Sequence, residues 1–158
     1  MTATAPVLLV DGNPHMAAML QRFLTQHQVD TQTVLSAAEA RALLAQHDFH
    51  VVVTDRFGPS DEGLALLRYV RQTVPTTPVI LMSAFGAPEL HQQALTAGAY
   101  ACLAKPFRLQ ELWDIMQPAL QGRPAPEATR LSGQGNIAQA SGGERSPGMM
   151  PGPEGSAR

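Results

Sequence analysis

The stretch His50-Val51-Val52-Val53-Thr54-Asp55 decides the fold. Strand-favouring residues run without a break into a carboxylate. A continuous apolar run marks a strand covered on both faces, as in a parallel sheet flanked by helices. A carboxylate inside such a strand would lose its hydration at high cost, so Asp55 belongs at the strand's end. In open α/β sheets the carboxyl edge is where ligands and chemistry sit. Taken alone, Asp55 reads as the start of a turn; the other strands change that reading.

Val7-Leu8-Leu9-Val10 is a second apolar run, and it ends in Asp11. Gly12-Asn13-Pro14 supplies turn chemistry, with Pro14 suited to a helix's first turn. Met16, Met19, Leu20, Phe23 and Leu24 follow at helical spacing. A short strand is expected near Val29 to Val34. Ser36-Ala37-Ala38-Glu39 is a capping-box pattern opening a helix to about Gln46, with Leu43 and Leu44 toward the core. Beyond Asp55, a loop covers residues 56–63, and Leu64, Leu67 and Val70 repeat at helical spacing. Pro75 and Pro78 bracket a turn. Val79-Ile80-Leu81-Met82 is the third strong strand, ending in Ser83. A helix is expected over 88–97, with Gly98 as its C-terminal cap. Tyr100 to Leu103 is a weaker strand running to Lys105-Pro106. The last helix should span Leu109 to about Gln117, broken by Pro118. Five β-α repeats predict a doubly wound α/β domain with a five-stranded parallel sheet, flavodoxin-like, in the order 2-1-3-4-5.

The chain has 158 residues, 44% of them hydrophobic, which is enough for one packed domain. From Gln121 onward Gly, Pro, Ser and Ala dominate and no aromatic residue occurs. Such a segment buries too little apolar surface to offset its ordering entropy. The expected division is a domain over 1–120 and a disordered tail over 121–158. Leu131 and Met149-Met150 stand isolated in that tail and read as ordinary tail residues. A net charge of −2 and a pI near 6.2 argue against a DNA-binding stripe. The single Cys102 excludes an internal disulfide and points to a reducing compartment. No charged segment leads into a secretory apolar stretch, and no apolar run reaches membrane-spanning length. These features read as a soluble cytoplasmic protein without a membrane partner.

The expected topology puts Asp11, Asp55, Ser83 and Lys105 on one edge of the sheet. Strands 1, 3, 4 and 5 are contiguous in that order, so the four side chains could converge. Two carboxylates, a hydroxyl and a cation suit phosphoryl transfer to an Asp. The transition state spreads negative charge over three oxygens, which an ammonium, a hydroxyl donor and a divalent ion can neutralise. Mg²⁺ is the expected ion, because it takes one or two carboxylates with water and phosphate oxygens. Lys105 is the only lysine among 11 basic residues. It is a compact point charge where every other basic side chain is a guanidinium fork. The histidines His15, His27, His47, His50 and His91 lack metal-ligand spacing and read as surface or cap residues. No Gly-rich phosphate loop and no nucleophile elbow around Ser83 is present.

From Val7 to about Leu120 the chain resembles the receiver domains of two-component response regulators. The residues that carry the resemblance are Val7-Leu8-Leu9-Val10-Asp11, Val51-Val52-Val53-Thr54-Asp55, Pro59 with Glu62-Gly63-Leu64, Val79-Ile80-Leu81-Met82-Ser83-Ala84, Gly98-Ala99 and Lys105-Pro106-Phe107. The resemblance implies that Asp55 is the phosphorylated residue, Ser83 the switch hydroxyl and Lys105 the phosphate-contacting lysine. It implies a Mg²⁺ site built from Asp11, Asp55 and the backbone carbonyl of Phe57. It implies a sensor histidine kinase or a phosphotransfer protein as phosphodonor. Two residues depart from the family pattern. Gly12 stands where the family carries a second acid that ligates the metal directly, which predicts weak Mg²⁺ binding. Cys102 stands at the aromatic switch position. Tyr100, two residues earlier, has the same strand parity, and the sequence leaves open whether it substitutes.

The reading that follows is a stand-alone receiver without an output domain, not an enzyme beyond its own phosphorylation and dephosphorylation. Its downstream protein target would dock on residues 89–117. Phe107 and Trp113 fall in that surface, although Trp113 fits the core equally well. Two rivals remain: a degenerate receiver acting as a phosphorylation-independent binding module, and a flavodoxin-like hydrolase using Asp55.

Overall fold

A computed structural model of the chain describes residues 6–55, 62–83 and 88–125. Five strands form one parallel sheet: β1 (Val7–Val10), β2 (Thr31–Val34), β3 (Val51–Asp55), β4 (Val79–Ser83) and β5 (Ala101–Ala104). Their order is 2-1-3-4-5, as the β-α alternation predicts. The helices are α1 (Pro14–Gln26), α2 (Ala37–Gln46), α3 (Glu62–Thr73), α4 (Pro88–Thr96) and α5 (Leu109–Leu120).

Alternation along the strands splits the core into two layers. Val7, Leu9, Val51, Val53, Ile80 and Met82 pack against Leu20 and Leu24 of α1 and Leu112, Ile115 and Met116 of α5. Leu8, Val10, Val52, Val79 and Leu81 pack against Leu44 of α2, Leu67 and Val70 of α3 and Ala94 of α4. Both layers are predominantly apolar, which is why the strands read as unbroken hydrophobic runs. Truncating a fully buried leucine such as Leu67 to alanine would cost about 2–5 kcal/mol.

The helix starts follow their sequence signals. Asn13 Oδ1 accepts from the backbone N–H of His15 at 2.9 Å and of Met16 at 3.2 Å, and Pro14 occupies the first turn. Ser36 Oγ accepts from Glu39 N–H at 3.2 Å, while Glu39 Oε1 reaches back to Leu35 N–H at 3.1 Å. Gly98, at φ +106°, ends α4 with the paired bonds of Gly98 N–H to Leu95 O and Ala99 N–H to Ala94 O.

Four expectations need correction. Pro118 does not break α5, which runs on to Leu120. In the last turn a proline forfeits a single backbone bond, and Ala119 is buried behind it against the core. β2 starts at Thr31 rather than Val29, and β5 at Ala101 rather than Tyr100. His91 is neither a surface nor a cap residue: it is 2% exposed on the inner face of α4, one turn from buried Ala94. His27 and His47 do cap α1 and α2. Of the expected tail over 121–158, the part beyond residue 125 lies outside the described residues, as does the loop carbonyl of Phe57. No helix among the described residues is long and apolar enough to cross a membrane.

Candidate functional site

The parallel register brings four strand ends to one edge. Val10 pairs with Thr54 and Asp55 with Met82, so Asp11, Asp55 and Ser83 emerge side by side from β1, β3 and β4. Ser83 pairs with Ala104, which places Lys105 directly after β5. The Lys105 backbone N–H donates to Ser83 O at 2.8 Å and ties those two ends together.

Lys105 bridges the two carboxylates. Its Nζ lies 3.0 Å from Asp55 Oδ1, a charge-assisted hydrogen-bond distance, and 4.0 Å from Asp11 Oδ2. The Asp11 side chain is only 1% exposed, against 15% for Asp55 and 27% for Lys105. Asp55 is therefore the carboxylate that a second protein can reach, and Asp11 the buried one behind it. Asp11 Oδ1 accepts from Asn13 N–H at 2.9 Å, while Oδ2 has no hydrogen-bond partner. An Asp accepting from the backbone two residues on is a common turn device, so the Asp-Gly-Asn run signals this contact. Asn13, read from the sequence as a turn residue, caps α1 with its side chain and holds the buried carboxylate through its backbone N–H. Beneath Asp55, the buried Thr54 donates its hydroxyl to Asp55 O at 3.1 Å.

Ser83 is buried, and its Oγ lies 3.8 Å from Cys102 Sγ. The register explains this contact: Cys102 pairs with Leu81, two residues before Ser83 on the same face. Tyr100 does not take the aromatic switch position. It lies outside β5, so strand parity does not govern it, and its hydroxyl donates to Arg123 O at 2.8 Å at the opposite edge of the sheet. Trp113 also turns away from the surface built on α4. Its ring stacks on His27 at 4.2 Å between centroids, with Phe23 edge-on to the same imidazole, in the seam between α1 and α5.

The donor set at this edge is hard: carboxylate oxygens, one of them buried without a hydrogen-bond partner. That suits Mg²⁺, which accepts two carboxylates and completes its shell with water. Gly12 contributes no side chain, and no group of three or more His, Cys, Asp or Glu residues that could hold a metal occurs among the described residues. Among the described residues, this edge thus sets two carboxylates against one ammonium.

Comparison with known proteins agrees with this fold. The family model for the response regulator receiver domain matches residues 7–117. The response regulator protein PilR of Pseudomonas aeruginosa is 36% identical over 80% of this chain and 30% of its own length. Protein PetR of Rhodobacter capsulatus is 36% identical over 71% of this chain and 47% of its own length. This chain therefore spans less than half of either relative. Among solved structures, the receiver domain of the Francisella response regulator 1452 superposes with a TM-score of 0.69 at 27% identity, over 75% of this chain and 98% of that one. The receiver domain of NtrX from Brucella abortus gives 0.68 at 28% identity, over 73% and 98%.

Proposed function

Because this chain belongs to the response regulator receiver domain family, we propose that it accepts a phosphoryl group on Asp55 from a sensor histidine kinase or a phosphotransfer protein. The supporting observation is the Lys105 ammonium held 3.0 Å from Asp55 and 4.0 Å from Asp11 at the carboxyl edge of the sheet. A carboxylate oxygen of Asp55 attacks phosphorus, the P–N bond of the donor phosphohistidine breaks, and the imidazole leaves with a proton. Lys105 then bears on the phosphoryl oxygens as a point charge. Ser83 donates its hydroxyl to another of these oxygens.

Asp11 and Asp55 would hold Mg²⁺, with the Phe57 carbonyl as the third proposed protein ligand. When bound, the ion supplies charge neutralisation at the transferring phosphoryl group. Two features argue for weak affinity: Gly12 brings no carboxylate, and Lys105 already lies near both acids. The protein would work in the cytoplasm and signal by protein contacts rather than by DNA binding through these residues. The proposed docking surface is 89–117. With Trp113 packed on His27, its accessible part includes Glu89, Gln92 and Gln93 on α4.

The Ser83–Cys102 contact favours a second reading, a receiver that binds partners without phosphorylation. Phosphotransfer from purified histidine kinases of the same genome, with and without Mg²⁺, separates the two. Transfer that disappears in Asp55→Asn supports the first reading. No transfer from any kinase, with partner binding intact, supports the second.

A further inference from the structure

The amino-terminal edge of the sheet, opposite Asp55, carries a cavity of about 370 Å³. Its walls come from the end of α3, the turns before β4 and after α4, the approach to β5 and the residues after α5. Arg71, Thr76, Pro78, Gly98, Tyr100 and Arg123 are among the lining residues, and none of the described lining residues is a carboxylate. Two guanidinium groups, with no carboxylate among the described lining residues, give it the opposite charge to the Asp11–Asp55 edge.

Arg71 is held in place. Its Nη1 donates to Pro75 O at 2.6 Å. Its stem crosses Gly98 so closely that a Cβ there would lie 2.9 Å from Nε. Only glycine combines that approach with a φ of +106°. The rest of its five N–H donors have no protein acceptor among the described residues. Arg123 is anchored through its backbone: its N–H donates to Pro118 O at 2.8 Å, and its carbonyl accepts from Tyr100. Its guanidinium forms no ion pair among the described residues.

Helix C-termini also meet this edge, and their carbonyls would repel an anion. Those carbonyls are largely occupied. Leu95 O and Ala94 O accept from Gly98 and Ala99, and Gln117 O and Ala119 O accept from Gln121 and Gly122. Two full positive charges outweigh what remains. The Tyr100 ring and Pro78 add apolar wall, and burial pushes the Tyr100 phenol upward, so that wall stays neutral.

We infer that this cavity binds a small organic phosphate, with the phosphate on the Arg71 and Arg123 guanidiniums and the organic body against Tyr100 and Pro78. Guanidinium forks match phosphate oxygens in pairs. The volume falls within the range of small-molecule sites, about 300–1,000 Å³. Nothing in this inference depends on Asp55.

Isothermal titration of the full 158-residue chain at low ionic strength tests it. The probes are AMP, inorganic phosphate and adenosine. AMP should bind, inorganic phosphate should bind more weakly, and adenosine should give no heat. Arg71→Ala and Arg123→Ala should each weaken AMP about tenfold or more. Arg71→Lys, which keeps the charge and loses the fork, should fall between. Asp55→Asn should bind AMP like the parent. The inference is overturned if AMP does not bind, if adenosine binds equally, or if AMP is no tighter than phosphate. It is also overturned if the arginine variants bind like the parent, or if Asp55→Asn abolishes binding.

Discussion

Replacing Lys105 by methionine keeps the aliphatic stem and deletes the one ammonium at the acidic edge. The parent holds that charge 3.0 Å from Asp55 and 4.0 Å from Asp11. At an effective dielectric constant of about 20, the closer contact alone has a gross Coulomb energy of about 5–6 kcal/mol. Desolvation offsets much of it. Exposed pairs contribute about 0–1 kcal/mol, whereas breaking a buried pair costs about 3–5 kcal/mol. With side chains 27%, 15% and 1% exposed, this cluster lies between those limits, so the expected loss is about 2 kcal/mol. For a domain of this size that is roughly 8 °C in Tm. The variant also leaves the two carboxylates without the ammonium between them, so Mg²⁺ should raise its Tm more than it raises the parent's. Thermal melts by circular dichroism, with and without Mg²⁺, measure both effects. A variant that melts with the parent in metal-free buffer would refute the role assigned to the ion pair. An identical Mg²⁺ increment in the two proteins would refute the idea that ammonium and metal compete for the same carboxylates.

Gly12→Asp should bind Mg²⁺ distinctly more tightly than the parent and phosphorylate faster. Amide shifts around Asp11, Asp55 and Lys105 during a Mg²⁺ titration read the affinity, and equal tight binding in both would mean another group already fills the position. Asn13→Ala removes the cap that receives two backbone N–H groups, so a stability loss of about 1 kcal/mol is expected in denaturant melts. Tyr100→Phe deletes the hydrogen bond to Arg123 O and should cost about 1 kcal/mol at neutral pH. Burial raises the Tyr100 pKa in the folded state, so its stabilisation is fully present below the ordinary value of 10.0 and is lost as pH rises through the folded value. Melts on the alkaline side should therefore show a steeper decline for the parent than for Tyr100→Phe. Removing residues 126–158 should leave Tm within a few degrees, because the segment is poor in apolar residues; a larger drop in the shortened chain would show that it packs on the domain.

The sheet was legible because Val7-Leu8-Leu9-Val10, Val51-Val52-Val53 and Val79-Ile80-Leu81-Met82 are buried on both faces, and burial on both faces leaves an unbroken apolar signature. A carboxylate or hydroxyl at the end of each run then marked the candidate site's edge. Lys105 stood out by being a lone lysine. Pro118 misled because helix propensity counts one lost bond and not the burial of Ala119 behind it. Tyr100 misled because parity holds only inside a strand, and β5 starts one residue later. The stack of Trp113 on His27 joins residues far apart in sequence on two helices, and no local pattern signals it. The amino-edge cavity escaped for the same reason: its arginines are 52 positions apart (123 − 71) and meet only once the sheet is built.

The most direct measurement is the intact mass of the full chain after incubation with acetyl phosphate and Mg²⁺, followed by borohydride trapping and peptide mapping. The account predicts a single phosphoryl adduct on the parent, a reduced residue at position 55, and neither in Asp55→Asn or Asp55→Ala. An adduct that survives in those variants, or a parent that stays unmodified under the same conditions, would contradict it.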